Sequence, residues 1–199
     1  MLFSISLLWS QGLESVFKAM PFDIVPGITS DDKDIMLVDT GKVSVPTPLG
    51  EVTKIYHTDK SISLTTSTIG STDIHILSKE DGSEVILVIK TVRGSIDNSA
   101  LDSSLKIYTS DWQELSAEGI IPIVSMQSFI DIEGIKNSLS SDLILPSYCP
   151  VAAEYKVETG DLVLSVDTEN LFGKDMLSSM KQFIISDNIV LKWNGVSFH

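Results

Sequence analysis

The sequence predicts a mainly β fold, an antiparallel β-sandwich or jelly-roll-like domain with two or three short helices. Three observations carry that expectation. Thr72–Ser78 alternates apolar and polar residues, turns through Lys79-Glu80-Asp81-Gly82-Ser83 and returns as the apolar run Val85–Ile89. Asp-Gly between two strand-like runs is a strong hairpin signal, because Gly accepts positive φ without steric cost. The same grammar recurs at Tyr155–Val157, Glu158-Thr159-Gly160-Asp161 and Leu162–Val166. The third observation is spacing: about ten strand-like runs follow one another at the intervals of a sandwich or jelly-roll. Val85–Ile89 is apolar at every position, so both faces of that strand should be covered.

The elements follow in order. Met1–Trp9 is apolar but has no positive n-region and no clear cleavage site, which reads as a core strand or an apolar arm on a partner. Ser10 can cap a helix whose stripe is Leu13, Val16, Phe17 and Met20, stopped by Pro21. Residues 21–34 hold Pro26, Gly27 and the acidic run Asp31, Asp32 and Asp34, and read as a loop or linker. Residues 1–30 are therefore expected as an N-terminal arm with a short helix, and residues 31–199 as the β-rich domain. Strands are expected at Ile35–Val38, Val43–Val45, Val52–His57 and Ile62–Ile69, with Pro46 and Pro48 marking an edge. After the first hairpin, Gly94–Ser104 reads as a polar loop, and Leu105–Tyr108 and Ile120–Met126 as strands. Phe129–Leu139 has weak helical spacing, and Leu143–Leu145 is strand-like. Met176, Leu177, Met180, Phe183 and Ile184 form a helical face before a last strand at Ile189–Trp193.

Composition limits function. Among 199 residues the net charge is −13, with −5 in residues 1–100 and −8 in residues 101–199. Arg93 is the only arginine, and no Lys/Arg cluster exists to meet a nucleic-acid backbone. Cys149 is the only cysteine, which excludes an internal disulfide and a cysteine-built zinc site; it reads as a small buried hydrophobe. His57, His75 and His199 lack partners at metal-ligand spacing, and His75 falls on the polar positions of its strand. The acidic run at 31–34 lacks the calcium-loop pattern. No nucleophile elbow, phosphate loop or dinucleotide fingerprint occurs. Trp9, Trp112 and Trp193 stand apart from cations and from one another, as core or interface anchors do. No run is long enough to span a bilayer as a helix.

Ile35-Met36-Leu37-Val38-Asp39-Thr40-Gly41 resembles the active-site loop of retropepsin-like aspartic proteases, and Leu171-Phe172-Gly173-Lys174-Asp175-Met176-Leu177 resembles that family's second signature. The resemblance implies Asp39 as the catalytic acid of a homodimer, sharing a proton with its mate. Lys42 stands where the family has a small residue, and the residues by themselves read as a hairpin turn between Ile35–Val38 and Val43–Val45. Pro146-Ser147-Tyr148-Cys149-Pro150, continuing to Val157, resembles the aromatic-Cys-Pro strand of plant-virus movement proteins of the 30K superfamily. That resemblance covers residues 60–170 and implies a jelly-roll that assembles at intercellular channels. Ile89 stands in place of the family's Asp, so no residue carries a role over.

The function expected from these readings is a non-enzymatic viral-type structural, matrix-like or movement-like protein that self-associates and binds partners. The alternative is the aspartic protease using Asp39. No catalytic, cofactor-binding or metal residue is assigned, and no cofactor is expected. Partners are a homo-oligomer or another protein, with nucleic acid disfavoured by charge. The expected location is intracellular, in the host cytoplasm or virion if viral.

Overall fold

The computed structural model describes residues 12–39, 41–94, 100–138 and 145–199. Seven strands pair in sequence order, each antiparallel to the next: β1 (Val43–Thr47), β2 (Gly50–His57), β3 (Ser61–Thr65), β4 (Gly70–Ser78), β5 (Glu84–Arg93), β6 (Ala100–Thr109) and β7 (Glu114–Leu115). A second sheet of three strands, β8 (Ala152–Lys156), β9 (Asp161–Ser165) and β10 (Asn188–Lys192), has β9 at its centre. The fold is mainly β and sandwich-like, as the hairpin grammar predicts. Six short helices accompany the strands among the described residues: α1 (Leu13–Lys18), α2 (Ser30–Leu37), α3 (Met126–Phe129), α4 (Ile132–Ser138), α5 (Thr168–Phe172) and α6 (Lys174–Met180). That is more than the two or three expected.

Both hairpins form as read. Ser78 pairs with Glu84 across the first turn, where Gly82 takes φ of +80° and the Asp81 carboxylate accepts from the Ser83 amide at 2.9 Å. Lys156 pairs with Asp161 across the second. The strand Val85–Ile89 is covered on both faces. Ile86 and Val88 enter one core with Leu13, Val16, Phe17, Met20, Met36 and Ile74. Val85, Leu87 and Ile89 enter the other with Phe129, Leu162, Leu164, Phe183 and Phe198. Full burial of side chains of this size contributes about 1.5–3 kcal/mol each. One face of the large sheet thus carries α1, α2 and the segment between them. The opposite face carries the small sheet and α3–α6.

The stripe Leu13, Val16, Phe17 and Met20 is buried at every position, and Ile24, Val25 and Ile28 continue the same core. Residues 13–28 therefore pack against the sheet, while Met1–Trp9 and Ser10 lie outside the described residues. Trp112 ties this layer down, its indole N–H donating to the Val16 carbonyl at 2.9 Å. Trp193 anchors the far side by donating to the Ser78 carbonyl at 2.7 Å.

Several local expectations are corrected. Ile35–Val38 is the end of α2, not a strand. A capping box starts this helix: the Thr29 hydroxyl accepts from the Asp32 amide at 3.2 Å, and the Asp32 carboxylate accepts from the Thr29 amide at 2.8 Å. The acidic run read as loop is helical: Asp31 and Asp32 fall in the first turn, where carboxylates suit the positive end of the dipole, and Asp34 in the next. In place of the strand expected at Ile120–Met126 there is loop up to Ser125 and then the start of α3, because tight turns at Ala117–Ile121 and Pro122 interrupt the apolar run. The end of Gly94–Ser104 is already strand, β6 beginning at Ala100. His75, on the polar positions of its strand, is 2% exposed because the small sheet covers its face. Phe129–Leu139 resolves into the end of α3 followed by α4, with Leu139 outside the described residues, as are Leu143 and Ile144.

Candidate functional site

Asp39 follows the helix α2 and serves a turn. Its carboxylate accepts from the Gly41 amide at 2.8 Å, and its backbone carbonyl accepts from the Lys54 ammonium. Lys54 is fully buried and also donates to the Met36 carbonyl at 2.5 Å, with His57 Nδ1 at 3.3 Å. A cation here satisfies the orphan carbonyls at the negative end of α2. Burial lowers the Lys54 pKa, Asp39 opposing it; burial and then the Lys54 charge lower that of His57. Lys33 does the same for α1, donating to the carbonyls of Lys18 at 3.2 Å and Met20 at 2.5 Å. These clusters are helix caps. The hairpin turn expected at Asp39 is replaced by a helix-to-strand turn.

A second polar group lies between β3 and β4. Ser61 faces His75 and Ser63 faces Asp73 across the pair. The Ser61 hydroxyl and His75 Nδ1 are 2.9 Å apart, and the imidazole lies 4.7 Å from the Tyr155 ring. Burial holds the His75 pKa down at about 4. Burial raises the pKa of Asp73, against the Ser63 hydrogen bond and the Arg93 charge. Ser61 is 1% exposed, which denies it any role as a nucleophile. The period-two patterns Ser61-x-Ser63 and Asp73-x-His75 signal this ladder, and only the covering sheet turns them inward. Cys149 is half-buried, its thiol pushed up by burial and then by Asp102.

The concave feature with converging polar groups is a cleft of about 410 Å³ on the face of the large sheet that carries α1 and α2. Two rows of facing residues form its floor across β4, β5 and β6. Gly70, Val92 and Asp102 make one row, and Thr72, Lys90 and Ser104 the next. Ile24, Val25 and Pro26 form one wall, and Thr47, Leu49 and Val52 close the end. A smaller lobe of about 100 Å³ continues past Lys90 to Asp23, Lys106 and Tyr108. Gly27 positions the wall: its φ is +96°, and an added Cβ would sit 3.0 Å from the Thr47 side chain. Leu49 and Val92 leave apolar surface at the mouth, 73% and 50% exposed.

The charges around the cleft are unequally satisfied. Lys106 pairs with Glu114 at 2.8 Å. The Asp102 carboxylate turns to the Tyr148 hydroxyl and to the Val151 amide, the latter at 3.1 Å. Lys90 donates to the Asp23 carbonyl at 3.3 Å and forms no ion pair among the described residues. Two further hollows lie among the described residues: one of about 660 Å³, lined by Leu105, Ile121, Ile123 and Phe198, carries Glu118 as its lone charge. The other, of about 430 Å³, surrounds Tyr148, Pro150 and Leu171. No group of three or more His, Cys, Asp or Glu side chains among the described residues could hold a metal ion. No described helix is long and apolar enough to cross a membrane.

Fold and site together describe a two-layered β protein with an open cleft on its larger sheet. The chain belongs to the family described as Protein of unknown function (DUF3256), whose model matches residues 5–198. Its fold is similar to the solved structure of a domain of an uncharacterized protein from Porphyromonas gingivalis W83. That likeness has a TM-score of 0.74 at 21% identity, covering 94% of this chain and 96% of the other. No curated protein matches. These findings overturn the expected viral-type structural, matrix-like or movement-like function and the viral context of its location, because the family is one of unknown function and the fold neighbour is an uncharacterized bacterial protein. The retropepsin-like alternative falls with them, and Asp39 in its helix-to-strand turn agrees.

Proposed function

We propose that this protein is a binding module that holds a small amphipathic ligand, noncovalently, in the cleft over β4, β5 and β6. The observation that carries this reading is the division of the cleft. Its wall and mouth are apolar (Ile24, Val25, Pro26, Leu49, Val92), and its floor is polar (Thr72, Lys90, Ser104). Ligand sites are typically concave, of about 300–1,000 Å³, mostly apolar and fitted with a few polar groups that orient the ligand. The position of Lys90, Thr72 and Ser104 in one row also supports it, because three rigid strands hold their polar ends in register.

Titration with the neutral, environment-sensitive dye Nile red tests the reading. Saturable binding at one site is expected, weakened at least about tenfold by Val92→Arg, which places a charge in the mouth. Ile123→Arg, in the other large hollow, should leave binding unchanged. Saturable binding that ignores Val92→Arg, or its absence in the unmodified protein, overturns the proposal.

A further inference from the structure

We infer that the cleft selects ligands bearing a carboxylate, and that Lys90 is the residue that recognises it; this rests on the binding-module reading above. An ammonium has three donors. Lys90 commits one to the Asp23 carbonyl, at the long distance of 3.3 Å, and pairs with no carboxylate among the described residues. It lies at the junction of the two lobes, flanked across the strands by Thr72 and Ser104. The remaining donors therefore meet an acceptor that enters the cleft, and the exposed Ser104 hydroxyl can share it.

The neighbouring charges define what that acceptor is. Lys106 is neutralised by Glu114, so Lys90 is the one cation of the floor without a counter-ion among the described residues. Asp102 already accepts from Tyr148 and Val151 and so presents less negative charge to the cleft. A monoanion on Lys90 thus finds a charge-assisted hydrogen bond, stronger than a neutral one. A polyanion finds that single cation and the field of a protein of charge −13. Beyond the head group, Pro26, Leu49 and Val92 offer apolar surface to a hydrocarbon body. The ligand class is an amphipathic monocarboxylate.

Calorimetric titration with octanoate, 1-octanol and octylamine tests the inference, since the three share a tail and differ in head group. Octanoate should bind about tenfold or more tightly than octanol at low salt. About 0.5 M salt should reduce that preference. Lys90→Gln should bring octanoate down to the level of octanol, whereas Lys90→Arg should retain the preference. Octanol or octylamine binding as tightly as octanoate, with all three sensitive to Val92→Arg, overturns carboxylate selection and leaves the binding-module reading standing. If none of the three binds, both fall.

Discussion

Acidification should unfold this protein in part through one side chain, His75. It is 2% exposed, with Nδ1 on the Ser61 hydroxyl and its ring against Tyr155. Its pKa in the folded chain is about 4, against an ordinary 6.5, because burial disfavours the imidazolium. Between those values the unfolded chain binds a proton that the folded chain refuses. The contribution of neutral His75 is therefore fully present above pH 6.5 and is lost as pH falls towards 4. At about 1.4 kcal/mol per unit, the loss is about 3 kcal/mol. Other groups titrate in or near this window. Asp73, two residues along the strand, is raised and works in the opposite sense. Asp32, Asp81 and Asp161 are lowered by their hydrogen bonds and lose stabilisation in acid as His75 does. A difference between two chains isolates the histidine. Urea unfolding of the natural sequence and of His75→Gln, at steps from pH 7.5 to 4, should give stability differences that shrink by about 3 kcal/mol as the pH falls. Gln keeps a partner for Ser61 and removes the titration. Parallel curves, with a constant difference at all pH values, would refute the assignment.

Two further substitutions probe how the helical layer is held. Lys54→Met should cost about 2–3 kcal/mol in chemical denaturation, because the Met36 and Asp39 carbonyls at the end of α2 lose their donor; an unchanged midpoint would remove Lys54 as the cap. Gly27→Ala should cost about 1–3 kcal/mol from its positive φ, and the crowding against Thr47 should also weaken Nile red binding. Loss of stability with unaltered dye affinity would separate Gly27 from the cleft.

The hairpins and the doubly covered strand were legible because their signals are local. Asp81-Gly82 specifies a turn by its own geometry, and an unbroken run such as Val85–Ile89 is stable only with apolar neighbours on both sides. Ile35–Val38 misleads because its composition suits a strand while its fate is decided six residues earlier by the Thr29–Asp32 box. Asp39 misleads in turn: Asp-Thr-Gly after an apolar run looks the same whether the run is strand or helix. His75 required knowledge from a distance, since its burial depends on Tyr155 in the covering sheet. The lysine caps were equally hidden. Lys33 and Lys54 look like ordinary surface cations until the helix ends they reach are known.

The cleft has a sequence correlate that composition alone does not reveal. Along one face of β5 the residues run Ile86, Val88, Lys90, Val92, and along the same face of β6 they run Tyr108, Lys106, Ser104, Asp102. Ile86, Val88 and Tyr108 enter the core shared with α1; the polar positions and the exposed Val92 begin where that cover ends. Seven strands at about 4.8 Å spacing form a surface about 29 Å across. The opposite face is covered by a three-stranded sheet and four helices, but among the described residues this face has only α1, α2 and the short segment joining them. Such a layer cannot reach every row. The change from apolar to polar side chains within one face marks where it stops, and Lys90 stands at that boundary. An uncovered floor needs polar residues for solubility, and Ser or Thr would meet that need. A lysine between Thr72 and Ser104 adds a charge for which the described residues supply no counter-ion, so the head-group comparison is the measurement that separates a merely solvated floor from a selective one.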